Sequence, residues 1–341
     1  MKFYLFLLTL ISITIFSSCK KKQAAEIDPG TNCLNITQTI NDSLLVLLTT
    51  QNAAGYTIIK TQYGTSTTVA SQTGFEFWSP SISPDKTKFI CFRSPTSNSV
   101  DFNDFGAAEL WLFNVDGSNG HLLTTLTSQS LTGMGMGKWA PDGLHIVFAG
   151  EKNETDGNLH WNIYLTDTLG TLATKMNTRL GDFKDPCFAN GDMTKLVYEA
   201  WNVGITLAGS VYDTEVHVAT VNGSYQFTSE SKITNNNYLE HSPSFSSDNI
   251  SISYSQNTSL AANTAIEIYT AVVSSGTTTK ILSNNNINEN PVWCPTNNKI
   301  YFLNKTGSAC FETGNRINPD GTSNAITYQL MNASYLQLDL K

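Results

Sequence analysis

The stretch Lys138-Trp139-Ala140-Pro141-Asp142-Gly143-Leu144-His145-Ile146-Val147-Phe148 decides the fold, because the chain writes it several times with altered spelling. The shared order is an aromatic or aliphatic residue, a small residue, a tight turn and a short apolar run. It returns at Ile82-Ser83-Pro84-Asp85 before Phe89-Ile90-Cys91-Phe92, and at Phe188-Ala189-Asn190-Gly191-Asp192 before Leu196-Val197-Tyr198. Two further copies are Phe245-Ser246-Ser247-Asp248 before Ile250 to Tyr254, and Trp293-Cys294-Pro295-Thr296-Asn297 before Ile300-Tyr301-Phe302. With Ile82, Trp139, Phe188, Phe245 and Trp293 as phase marks, the intervals are 57, 49, 57 and 48 residues. A strand-rich period of that size is the signature of propeller blades.

Each full unit reads as four strands. After Trp139 the inner strand ends at Pro141-Asp142-Gly143; Leu144 to Phe148, Trp161 to Leu165 and Leu172 to Lys175 follow as the second, third and fourth. The third-to-fourth turns carry Gly117, Gly170, Gly223, Gly276 and Gly321, which suit the positive φ of tight hairpins. Ahead of the first full unit lie three strands, Leu44 to Leu48, Tyr56 to Lys60 and Thr67 to Ala70, without the Pro-Asp turn. The alternating Ser334-Tyr335-Leu336-Gln337-Leu338-Asp339-Leu340 supplies their missing fourth strand and removes a free sheet edge. The expectation is all-β: a six-bladed β-propeller of four-stranded antiparallel blades, with the N-terminal blade completed by the C-terminal strand.

Charged residues make up 14% of the 341, and the net charge is −8. Ser, Thr and Asn carry the polar load, no polyelectrolyte face is present, and nucleic acid is excluded as a partner. Residues 1–18 read as a signal peptide: Lys2, then an apolar Phe3 to Phe16 too short to span a bilayer, then Ser17-Ser18. Residues 19–40 read as a tether and 41–341 as the propeller domain.

Two resemblances enter on these residues. Phe16-Ser17-Ser18-Cys19 resembles a bacterial lipobox, with Phe16 departing from the usual Leu; it implies that Cys19 is lipidated and holds the protein at the outer membrane. The copies at Ile82-Ser83-Pro84-Asp85 and Trp139-Ala140-Pro141-Asp142-Gly143, with Asn114-Val115-Asp116-Gly117-Ser118 and Pro319-Asp320-Gly321-Thr322, resemble the WD-repeat-like units of TolB-type β-propellers over roughly residues 40 to 341. The resemblance implies a six-bladed ring that holds protein or peptide partners in the bacterial envelope. TolB itself has an additional N-terminal domain, for which the stretch between Cys19 and Leu44 is too short, so its particular partners do not carry over.

In such a blade the Pro-Asp and Asp-Gly turns point to one face. The second-to-third connections, expected as long loops at Arg93 to Ala108, Ala149 to His160, Glu199 to Tyr212, Ser255 to Thr264 and Leu303 to Gly314, point to the other. Recognition concentrates on long loops over a rigid scaffold. Residues leading into the inner strands should ring that mouth: Trp78, Lys138, Lys184, Asp185, Glu240, His241, Glu289 and Asn290. Such a polar collar suits a peptide terminus, a loop or a glycan, though a wet channel tolerates polar residues without any ligand. Prolines at 80, 186, 243 and 291 follow several of them.

Catalytic sets are missing from the pattern. Of five histidines only His241 falls at the central site; there is no Gly-x-Ser-x-Gly elbow, and Gly133-Met134-Gly135-Met136-Gly137 reads as a flexible connection rather than a phosphate cradle. A hard cation among Asp185, Glu240 and Glu289 is the only metal arrangement the spacing allows. Cys294 and Cys310 flank one hairpin and are the pair placed to bridge in an oxidising compartment. The sequence thus points to a monomeric, cofactor-free binding protein of the envelope, the competing reading being a secreted carbohydrate-active lyase or hydrolase with a divergent channel site.

Overall fold

The computed structural model describes residues 44–52, 55–63, 65–96, 108–206, 209–259, 265–305, 311–333 and 338–340. Cys19, the leader, the tether and Cys310 lie outside them.

The first three strands are β1 (Val46–Asn52), β2 (Gly55–Gln62) and β3 (Thr65–Ala70). Blade two follows as β4 (Phe75–Ile82), β5 (Lys88–Pro95), β6 (Glu109–Asn114) and β7 (His121–Thr125). Blade three is β8 (Gly133–Trp139), β9 (His145–Asn153), β10 (Leu159–Asp167) and β11 (Thr174–Lys175). Blade four is β12 (Asp182–Ala189), β13 (Asp192–Thr206), β14 (Gly209–Val221) and β15 (Phe227–Lys232). Blade five is β16 (Glu240–Phe245), β17 (Ser251–Asn257), β18 (Ile266–Val272) and β19 (Thr278–Leu282). Blade six is β20 (Ile287–Trp293), β21 (Ile300–Lys305), β22 (Phe311–Ile317) and β23 (Ala325–Ala333). The last strand, β24 (Leu338–Leu340), pairs antiparallel with β1 as the innermost strand of blade one, Leu340 opposite Val46. A single parallel bridge, Ile266 to Ile287, joins blades five and six.

The blades hold together because each seam has its own apolar core. The phase marks end the inner strands and are buried, from 0% exposed at Ile82 to 7% at Trp139. Trp139 packs with Trp78, Phe92 and Phe148 between blades two and three; Phe188 serves the next seam and Phe245 the one after. Cys294 closes the ring in the seam of blades six and one, with Tyr301, Leu48 and Leu340. At roughly 1.5–3 kcal/mol for each large side chain buried, cohesion is spread around the ring.

Three local expectations are corrected. Gly133 to Gly137 is inner strand, not a spacer: Met134 is fully buried, and a Cβ on Gly137 would lie 2.8 Å from the Phe92 ring, so the glycines let the strand pack flat on aromatics. Gly223 does not supply a positive φ; Tyr225, at +59°, takes that role in its turn. The segment from Glu199 to Tyr212 is not a loop but the continuation of β13 and β14, with register pairs running to Thr206 opposite Gly209. The β-branched Val203, Ile205 and Val211 favour that extended ribbon. Beyond Trp201 it has no third ladder strand beside it among the described residues.

Candidate site at the channel mouth

The five inner strands of blades two to six share one irregularity, a β-bulge about half-way along. At each bulge one non-glycine residue adopts the left-handed conformation: Ser79, Met136, Asp185, Ser242 and Asn290, with φ between 48° and 54°. Proline follows four of them, and Gly137 the fifth. Bulges re-aim side chains, and backbone strain of this kind costs on the order of 1–3 kcal/mol per residue. Here all five residues line the central channel.

Two polar layers result. In the outer layer the Ser242 N–H donates to Asp185 Oδ2 (3.2 Å), and the Ser242 hydroxyl donates to Asn290 Oδ1 (3.2 Å), so three successive blades are joined through Ser242. Two residues further along each inner strand, Ser81, Lys138, Cys187, Ser244, Val292 and Asp339 share one register position. Here a side chain of one blade accepts the N–H of the next phase mark: Ile82 N–H to Asp339 Oδ2 (2.7 Å), Trp139 N–H to Ser81 Oγ (2.9 Å), Trp293 N–H to Ser244 Oγ (3.2 Å). The free edge of an innermost strand is thereby satisfied across the seam. Lys138 cannot accept; its Nζ instead reaches Asp339 Oδ1 (3.3 Å). Desolvation lowers the Lys138 pKa, but Asp339, Cys187 and Asp185 outweigh it and the ammonium is held above its usual range.

At the mouth above, the Glu199 carboxylate accepts from Trp201 Nε1 (2.9 Å) and pairs with His241 Nδ1 (3.1 Å). Burial pushes the Asp185 carboxyl up to about 6, and Glu199 adds to this against the pull of His241 and Lys138. Desolvation lowers the His241 pKa; its bond to Glu199 and the charges of Glu199, Asp185 and Glu289 more than reverse it. The Lys184 ammonium lies 5.0 Å from the ring centroids of both Trp161 and Trp201.

The predicted collar therefore divides. Asp185, His241 and Asn290 come together at the mouth, and Lys184 stands beside them, buried between tryptophans. Glu289 is half-buried on the neighbouring strand and adds its charge to the His241 environment. Trp78 is turned into the core, stacked on Phe92 at 5.0 Å with its Nε1–H on Ser94. Lys138 lies deeper than expected, in register with Cys187 rather than with Lys184. Glu240 is fully buried and faces Asn236 and Glu215 in the seam of blades four and five, so the cation set Asp185, Glu240 and Glu289 does not assemble. Among the described residues no three His, Cys, Asp or Glu are grouped to hold a metal. Sequence reasoning missed Glu199, Ser242 and Asp339. Asp339 was open to discovery, since alternation back from Leu340 puts it in phase with Ser81.

The channel's water-accessible volume is about 100 Å³, against roughly 300–1,000 Å³ for small-molecule pockets.

No protein-family model matches the sequence, and no curated protein does. Among solved structures, TolB from Acinetobacter baumannii is similar with a TM-score of 0.63 at 13% identity, over 88% of this chain and 67% of that one. A putative TolB from Agrobacterium tumefaciens gives 0.58 at 13% identity, over 88% and 98%. An oligogalacturonate lyase in complex with manganese gives 0.53 at 8% identity, over 86% and 74%. At these identities the likeness is one of fold: the chain is a TolB-like six-bladed β-propeller.

Proposed function

We propose that this TolB-like propeller is an envelope protein, anchored at the outer membrane by lipid on Cys19, that holds a protein, peptide or glycan partner at its long-loop mouth without catalysis. The observation that carries this reading is the bulge ring, in which strain repeated on five blades aims Asp185, Ser242 and Asn290 into one connected polar surface. Along β13, Glu199 and Trp201 lead directly into the two-stranded ribbon whose register runs to Thr206 opposite Gly209. Charged and amide groups beside such a ribbon suit an extended peptide or a sugar chain. The anchor rests on the sequence from Lys2 to Cys19; among the described residues no helix is long and apolar enough to cross a membrane.

The test is affinity capture from cross-linked envelopes with the intact lipoprotein. Asp185→Ala combined with His241→Ala should lower recovery of the specifically captured partner at least tenfold while thermal melting stays cooperative; equal recovery would sink the reading. For the anchor, Cys19→Ser should move the protein from the membrane fraction to the soluble one, and retention at the membrane would refute it.

One observation favours the second reading, a secreted lyase or hydrolase: the Asp185 carboxyl, held up to about 6, stands beside the His241–Glu199 pair in the manner of a proton-transfer site. Stoichiometric transition metal in the purified protein, with polysaccharide turnover lost in His241→Ala, would establish it over the first.

A further inference from the structure

We propose that Glu215, Glu240 and Gln256 form a binding site for a hard divalent cation, calcium by chemical class, in the seam between the fourth and fifth blades. Three strands and a connection converge there. Glu215 lies on β14 and Glu240 opens β16, where it stands opposite Gln256 of β17. Asn236, in the connection, sits between the two carboxylates: its backbone N–H donates to Glu215 Oε1 (2.9 Å) and its Nδ2 to Glu240 Oε1 (2.6 Å). The same Nδ2 lies 3.5 Å from Gln256 Oε1, which places that amide oxygen beside the pair.

Both glutamates are 0% exposed, and among the described residues Glu215 Oε2 and Glu240 Oε2 have no hydrogen-bond partner. Among the described residues Glu215 has one counter-charge, Lys232 Nζ at 2.9 Å from its Oε1, and that ammonium stands at the rim with a third of its side chain exposed. Removing a carboxylate from water is costly unless it is paired, and an unmet buried acceptor adds to that cost. The two carboxyl groups interact across the seam and, with Gln256 Oε1 beside them, make an oxygen-only donor set. That chemistry selects a hard cation over zinc or copper, and calcium tolerates an irregular shell where magnesium demands an octahedron. The nearest imidazole, His241, is already engaged by Glu199. With two carboxylates the affinity should fall in the weak range of extracellular modules, around 10⁻⁴–10⁻³ M. The site is independent of whatever binds at the mouth.

The experiment uses the full-length protein, treated with EDTA and dialysed. Calcium chloride titrated by calorimetry should give a saturable heat near one equivalent. At about 5 mM calcium the melting temperature should rise by about 3 °C, with magnesium giving less than half of that. Glu240→Gln, which keeps the shape, should still melt cooperatively and lose the calcium response. Absence of both heat and thermal shift in the unmodified protein would overturn the proposal. So would a calcium response that survives in Glu240→Gln, an equal response to magnesium, or stabilisation by acid alone with none from calcium.

Discussion

His217 is a useful single residue because its environment makes a signed prediction. It stacks on Tyr198 with ring centroids 5.6 Å apart, and neither ring nitrogen has a partner among the described residues. Burial, with Arg179 and Lys232 against the weaker pull of Glu230, depresses its pKa to about 4. The folded state therefore prefers neutral imidazole. Its contribution is complete above the unfolded value of about 6.5 and is lost as pH falls from there through 4. His217→Phe should flatten that part of the stability–pH profile by an amount on the order of 2 kcal/mol, measured by urea unfolding at pH 4.5 and 7.5; parallel profiles would contradict it. The same scale shows what the sequence could and could not yield at the mouth. Asp185, His241 and Asn290 were legible because proline marks their bulges. Lys138 was mis-phased because its copy has Gly137 in place of proline, and Glu199 was missed because its position depends on cross-strand register.

The recurring element is the hairpin, and its two turns obey different constraints. In the third-to-fourth turn of blade three, Gly170 has φ +72°, and a Cβ there would lie 2.1 Å from the Leu123 carbonyl oxygen of the preceding blade. In the inner-to-second turn of the same blade, Gly143 has the same φ but open space around it. Gly170→Ala should accordingly cost at least about 2 kcal/mol and Gly143→Ala about 1 kcal/mol, by denaturant melts. Equal losses would show that the turn's contact with its neighbour is soft. Periodicity predicted the repeat of turns and strands around the ring, though not the inner-strand start at Gly133 or the residue that takes the positive φ near Gly223. It did not predict the ribbon, because a segment with few charges between Glu199 and Asp213 satisfies a loop or a strand until its partner is known.

At the scale of the whole ring, closure depends on two residues of β24. Asp339 accepts the Ile82 N–H and answers Lys138 across the channel, while Leu340 fills the seam of blades six and one. Asp339→Ala leaves a buried donor unmet and the ammonium unpaired, and should cost roughly 2–5 kcal/mol. Asp339→Asn, which keeps an acceptor, should recover part of this in the same thermal melts; identical losses would mean that the stitch to Ile82 is irrelevant. The sequence by itself determined the all-β class, the number of blades, the phase of the buried aromatics and the completion of the first blade by the last strand. These follow from periodic burial and turn chemistry, which are local properties of a chain. Only the tertiary structure decided which polar residues meet: Asp185 with Ser242 and Asn290, His241 with Glu199, Glu240 with Glu215 rather than with the mouth. The physical reason is that a one-residue bulge turns a side chain from one side of a strand to the other, and a seam brings together groups from different repeats whose spacing along the chain carries no trace of the encounter.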